Sequence, residues 1–151
     1  GIWKNDVHEV GYKYQMTDIA ATMGCDSLRE FNQIIRHRKK IYKTYLNELS
    51  KNKKVKCIHD YDKKKSHGAW LFTISINNKD FVQRKLRDHT IETNQVHFRN
   101  DRYSIFKKYL KGKKFPNMDY LENRYLVLPL HHKVSVKDAK YISRLVNKYA
   151  K

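Results

Sequence analysis

Proline occurs twice, glycine five times and cysteine twice in this chain of 151 residues. The cysteines, Cys25 and Cys57, fit no metal-ligand or redox spacing, so they read as free thiols of a reducing compartment. No apolar run approaches the roughly 20 residues that cross a bilayer, which excludes a membrane-spanning helix. The opening GIWKNDVHEV is polar and mixed, unlike a secretory signal, and the expectation is a cytoplasmic protein. An initiator methionine is also absent, from which we expect a piece of a longer protein. There is no internal repeat, no phosphate-cradling glycine loop and no nucleophile elbow, so a hydrolase has no support. The adjacent His131 and His132 cannot readily chelate one ion, and no carboxylate or cysteine stands at a useful spacing, so no metal site is expected.

Acidic residues are also few: 15 against 33 lysines and arginines, a formal net charge of +18. Such a balance raises the possibility of a polyanion partner. Lysine, however, outnumbers arginine 24 to 9 and is scattered, whereas base readout leans on arginine forks. Asn, Ile and Tyr are abundant while Ala, Gly and Pro are scarce, the bias of an AT-rich genome. The lysine-rich runs at 51–56, 63–65 and 107–114 therefore read as solvated loops or helix faces. A small basic module binding nucleic acid or another polyanion stands as the alternative, and nucleic acid is not the expected partner.

What is present is enough apolar material for a core, 40% of the residues. Thr17 before Asp18 is a helix start: the threonine caps, and the aspartate favours the positive end of the dipole. Ile19, Met23 and Leu28 recur at near-helical spacing. A second helical stretch carries Phe31, Ile34, Ile35, Ile41, Tyr42, Tyr45, Leu46 and Leu49 on one face and Arg36, Arg38, Lys39, Lys40 and Lys43 on the other. Gly24 between them either allows close helix contact or weakens the helix. A short strand is predicted at 55–58 and another at 69–76 (AWLFTISI). A helix is predicted near 80–89, a strand at 91–98 (IETNQVHF), a short helix at 103–110 and another through FPNMDYLENRY, ending near Tyr125. LVLPL reads as a buried strand stopped by Pro129. Ser135 and Asp138 have the spacing of a capping box, ahead of an amphipathic terminal helix carrying Val136, Ala139, Ile142, Leu145, Val146 and Tyr149.

This layout divides into a helical segment at 1–50, a polar connector at 51–67 and a small α/β domain at 68–151. The first segment has no sheet of its own and cannot bury both of its apolar faces. It is expected to pack on something outside this chain or on a second copy.

Residues 11–49, GYKYQMTDIAATMGCDSLREFNQIIRHRKKIYKTYLNEL, resemble the glycine-tyrosine stretch and following helix of the DegT/DnrJ/EryC1/StrS sugar aminotransferases. IETNQVHF and FPNMDYLENRYLVLPLHHKVSVKDAKYI continue the resemblance in the same order, over nearly the whole chain. The resemblance implies the C-terminal part of the aspartate-aminotransferase-like, pyridoxal-phosphate (PLP)-dependent fold, an α/β class. It comprises a helical piece of the large domain, belonging also to the homodimer interface, followed by a small α+β domain. It implies transfer of an amino group, from glutamate, to a keto sugar carried on a nucleotide, for an amino sugar of a surface polysaccharide. It places the Schiff-base lysine N-terminal to Gly11, outside this chain, so that no catalytic residue is expected here and the chain alone would not transaminate. An inactive family remnant, surviving as a dimerising piece, is a further alternative.

The same resemblance nominates site residues. A side chain in the glycine-tyrosine loop, commonly Asn, reaches the partner subunit's PLP phosphate; here that position is Lys13, a point charge suited to a phosphate. Tyr12 and Tyr14 are expected to pack beside it, and Ala20 and Ala21 to allow a close dimer contact. The second candidate is the loop His97, Phe98, Arg99, Asn100, Asp101, where most of the family has a proline-containing loop. His97, Arg99, Asn100 and Asp101 offer donors and acceptors for sugar hydroxyls and a pyrophosphate, with Arg99 assigned to the phosphate for its fork. For Arg99 to Asp101 the competing reading is a polar turn with a local ion pair, and His97 equally suits a structural role.

Overall fold

The computed structural model of the chain describes residues 6–58 and 67–151. Residues 59–66 of the expected connector, including the lysine run at 63–65, lie outside the described residues. Thr17 caps the first helix, its hydroxyl accepting the Ala20 N–H at 3.2 Å. From there α1 runs unbroken over Asp18–Leu49. The two helical stretches read from the sequence are thus one helix, roughly 48 Å long at 1.5 Å per residue. Gly24 sits inside it, and no atom of another element approaches the place its Cβ would occupy.

Three short antiparallel strands follow: β1 (Lys56–Ile58), β2 (Phe72–Ser75) and β3 (Tyr125–Leu128), paired in the order β1-β2-β3. The register sets Phe72 opposite Leu128 and Ile74 opposite Leu126. Period-two alternation therefore puts Phe72, Ile74, Leu126 and Leu128 on one face. That face joins Ile41, Tyr45 and Leu49 of α1 and Ile142 and Val146 of α4 (Val136–Tyr149) in the core. The Tyr45 ring lies 5.0 Å from that of Phe72, and its hydroxyl donates to the Pro129 carbonyl at 2.8 Å. Burying each such side chain contributes about 1.5–3 kcal/mol. The C-terminal half of α1 thus shares its core with the small C-terminal unit, although the sequence division places it in the first segment.

Two more helices, α2 (Lys79–Asp88) and α3 (Pro116–Glu122), flank the sheet connections. Thr90 ends α2 in the left-handed region at φ +59°, its N–H bonded to the Arg87 carbonyl and that of Ile91 to Leu86. This is a helix stop that glycine usually supplies. Ser135 and Asp138 form the reciprocal capping box at the start of α4.

Three sequence expectations are corrected here. Residues 91–98 do not form a strand: only Asn94 bridges to Val127, and the chain beyond it is held by side chains. Apolar alternation alone does not supply a partner strand. The helix in FPNMDYLENRY ends at Glu122, and Tyr125 already belongs to β3. Residues 103–110 form a 3-10 turn over Ser104–Tyr109 rather than an α-helix, and a shorter 3-10 turn over Asn100–Arg102 precedes it.

Candidate functional site

The sheet face away from the core carries Thr73, Ser75, Tyr125 and Val127 and is covered by the segment that follows α2. Asn94 opens that segment by exchanging backbone hydrogen bonds with Val127, at 3.3 and 2.8 Å. The Tyr125 hydroxyl donates to the His97 carbonyl at 2.8 Å, and burial raises the pKa of this phenol. A cleft of about 530 Å³ opens beside it, with Thr73, His97, Asn100, Phe115, Met118 and Tyr125 among its walls. That volume suits a drug-sized or sugar-sized ligand.

The structure brings His97, Arg99, Asn100 and Asp101 together along this cleft. His97 is exposed, its ring 6.0 Å from that of Trp70, and Asn100 is exposed at the start of the first 3-10 turn. Arg99 is turned inward and is only 6% exposed. Its Nε and Nη2 donate to the two carboxylate oxygens of Asp101 at 2.9 and 2.7 Å. Its Nη1 donates to Asp119 at 2.5 Å and to Glu122 at 3.2 Å. Arg102 donates to the same oxygen of Glu122. Hydrogen bonds to Asp101 and Asp119 raise the Arg99 pKa, and Arg99 in turn holds the Asp101 carboxyl below the usual range.

Two guanidinium groups thus face three carboxylates, which leaves the cluster one negative charge. A phosphate at Arg99 would have to displace Asp101 from the fork and approach two further carboxylates. Arg99 and Asp101 thus form the local ion pair that competes with a phosphate role for Arg99.

Lys13 lies elsewhere, on the extended arm ahead of α1. It is exposed, and Tyr12 and Tyr14 stack on each other across it at 5.1 Å. Among the described residues no hydrogen bond or ion pair engages its ammonium group. Nothing there joins it to the 97–101 loop. The arm itself does touch that region: the backbone N–H of Ser104 donates to Asp6 at 2.8 Å, and that of Ile105 to the Val7 carbonyl at 3.2 Å.

Sequence reasoning missed Gln95, Asp119 and Glu122. Gln95 accepts from Lys79 at 3.3 Å and donates to the Glu122 carbonyl. The FPNMDYLENRY motif contains both acidic residues, but nothing in its spacing points back to Arg99. His131, singled out with His132, accepts the Lys133 N–H at 3.2 Å. Among the described residues no group of three or more His, Cys, Asp or Glu could hold a metal, and no helix is long and apolar enough to cross a membrane.

A three-stranded antiparallel sheet, a long leading helix and a terminal helix beneath it match the C-terminal portion of the PLP-dependent aminotransferase fold. A family profile matches residues 2–147, and the chain belongs to the DegT/DnrJ/EryC1/StrS aminotransferase family. It is 29% identical over 146 residues to a UDP-4-amino-4,6-dideoxy-N-acetyl-beta-L-altrosamine transaminase of Campylobacter jejuni, covering 93% of this chain and 39% of that protein. The Helicobacter pylori aminotransferase PseC, involved in the biosynthesis of pseudoaminic acid, superposes with a TM-score of 0.74 at 19% identity, over 98% of this chain and 41% of that one. The PLP form of a putative sugar aminotransferase from Streptococcus pneumoniae gives a TM-score of 0.77 at 19% identity, over 97% and 38%. The chain therefore spans about two fifths of the length of these relatives.

Proposed function

We propose that this chain is the C-terminal portion of a PLP-dependent aminotransferase that moves an amino group, from glutamate, to a keto group of a nucleotide-linked sugar. The observation that carries the reading is the family match over residues 2–147, joined to 29% identity with a nucleotide-sugar transaminase over 93% of the chain. In this reading residues 1–50, 51–67 and 68–151 are a large-domain and dimer-interface segment, a connector and the small domain.

The residues present fit a phosphate-bearing cofactor at one place. Lys13 presents an exposed ammonium with no partner among the described residues, on the arm ahead of α1 beside the stacked rings of Tyr12 and Tyr14. It would grip the phosphate as a point charge across a homodimer. Bound PLP supplies an electron sink for the amino transfer. The lysine that carries the cofactor belongs to a part of the enzyme preceding Gly11.

Within this chain, Ile19, Met23, Leu28 and Phe31 are exposed apolar side chains with which the first helix would meet its partner subunit. His97 and Asn100, exposed at the cleft, would contact sugar hydroxyls and the diphosphate. Arg99 and Asp101 serve the same site by holding the loop in shape. The product would be an amino sugar for a surface glycan, made in the cytoplasm.

Replacing Lys13 with Ala in the full-length enzyme tests the cofactor assignment. PLP affinity, followed by the absorbance of the bound cofactor, is expected to fall about tenfold, the scale of one charged hydrogen bond. Unchanged affinity would remove Lys13 from the phosphate site.

A further inference from the structure

Three attachments of the 95–102 segment converge on one residue of α3. The Glu122 carboxylate accepts from Arg99 and from Arg102, and its backbone carbonyl accepts from the Gln95 side chain. These contacts differ in what they can hold. Asp101 sits on the same loop as Arg99, so their pair shapes the loop without tying it to the rest of the fold. The ties to α3 are Asp119 and Glu122, whose side chains are 63% and 22% exposed. An ion pair to an exposed carboxylate is weakened by water and salt, whereas a shielded one is weakened less. The buried guanidinium, in turn, needs its carboxylates, because an unpaired charge there is costly.

We infer that Glu122 is a positioning residue for the nucleotide-sugar side of the site. Its carboxylate fixes the 97–101 loop through Arg99 and Arg102 and thereby sets where His97 and Asn100 stand at the cleft. This rests on the aminotransferase reading above and adds to it the residue that orients the sugar-binding loop.

The assignment has a sign that separates it from a phosphate role for Arg99. Glu122→Gln removes one negative charge beside the cleft and loosens Arg99. If Arg99 were a latent phosphate ligand, that change would strengthen nucleotide-sugar binding. If Glu122 positions the loop, binding weakens.

The test uses the full-length, PLP-loaded enzyme carrying Glu122→Gln. Gln95 bonds to the main chain of residue 122, so that tie survives the substitution and the carboxylate alone is examined. We expect amide hydrogen exchange at 99–104 to speed up about tenfold, and the KM for the nucleotide-linked keto sugar to rise by about the same factor. The half-reaction with the amino donor should keep its rate. Arg102→Gln, which leaves the Arg99 contact to Glu122 in place, should show a smaller effect in the same direction and serves if Glu122→Gln fails to fold. Unchanged exchange, a lowered KM, or an equal loss in both half-reactions would each overturn the proposal. Wild-type enzyme that transaminates no nucleotide sugar would instead overturn the functional reading, and the exchange measurement would still decide whether Glu122 holds the loop.

Discussion

Ile19 and Ile41 sit on the same helix, yet the first is 74% exposed and the second is fully buried. The difference divides the molecule. Toward the C-terminus, Ile41, Tyr45 and Leu49 meet the sheet and α4. Toward the N-terminus, Ile19, Met23, Leu28 and Phe31 are all exposed, less regularly spaced around the helix and with no sheet beneath them. Most helical stability in proteins comes from packing of an apolar face rather than from intrinsic propensity. The C-terminal half of α1 is therefore supported by packing within the chain, and the N-terminal half leaves its apolar side chains exposed.

The sharpest way to break this comparison is to remove apolar mass from each region. Phe72→Ala, in the packed region, should destabilise the chain by about 3–5 kcal/mol, read from urea unfolding. A loss below about 1 kcal/mol would mean the sheet and α1 are not one core. Next in size is Ser135→Ala, which deletes the acceptor for the Asp138 N–H and should cost about 1 kcal/mol in the same measurement.

Acid gives a smaller and local effect. Arg99 holds the Asp101 carboxyl below its ordinary value, so this contribution is present above the ordinary carboxylate range and is lost as pH falls through the folded value. Amide protection at 99–104 should therefore be flat near neutrality and decline below about pH 4, after correction for intrinsic exchange. Arg99→Ala should abolish that dependence; its persistence would assign it to another group. The smallest effect is expected for Ile19→Ala, within about 0.5 kcal/mol in this chain. For the homodimer proposed above, the same change should weaken association, measured by sedimentation of the full-length protein against dilution. A large loss of stability in the 151-residue chain would show that the first half of α1 is already packed.

The same division governs what could be read from the residues alone. Thr17 and the Ser135–Asp138 box were legible because a cap is a local device, its donor and acceptor three residues apart. The apolar rows of α1 and α4 were legible for the same reason. The 91–98 segment was not: IETNQVHF has strand-like composition, but whether it pairs depends on β3, and only Asn94 finds Val127. At the site, the His97–Asp101 cluster was visible as a motif, and the competition for Arg99 between ligand and ion pair was visible too. Its partners Asp119 and Glu122 lie 20 and 23 residues away on another element, and the tie from Asp6 to Ser104 spans 98. Pairings of that range are set by tertiary folding, which spacing does not encode. Lys13 is the opposite case: its charge is plain in the sequence, and among the described residues no hydrogen bond or ion pair engages it.

The most direct test of the central claim is to give the full-length protein PLP, glutamate and a panel of nucleotide-linked keto sugars, and to follow the products by mass spectrometry. The expected products are an amino sugar on the nucleotide and an equal amount of 2-oxoglutarate. Bound PLP without amino transfer to any sugar of the panel would contradict the claim.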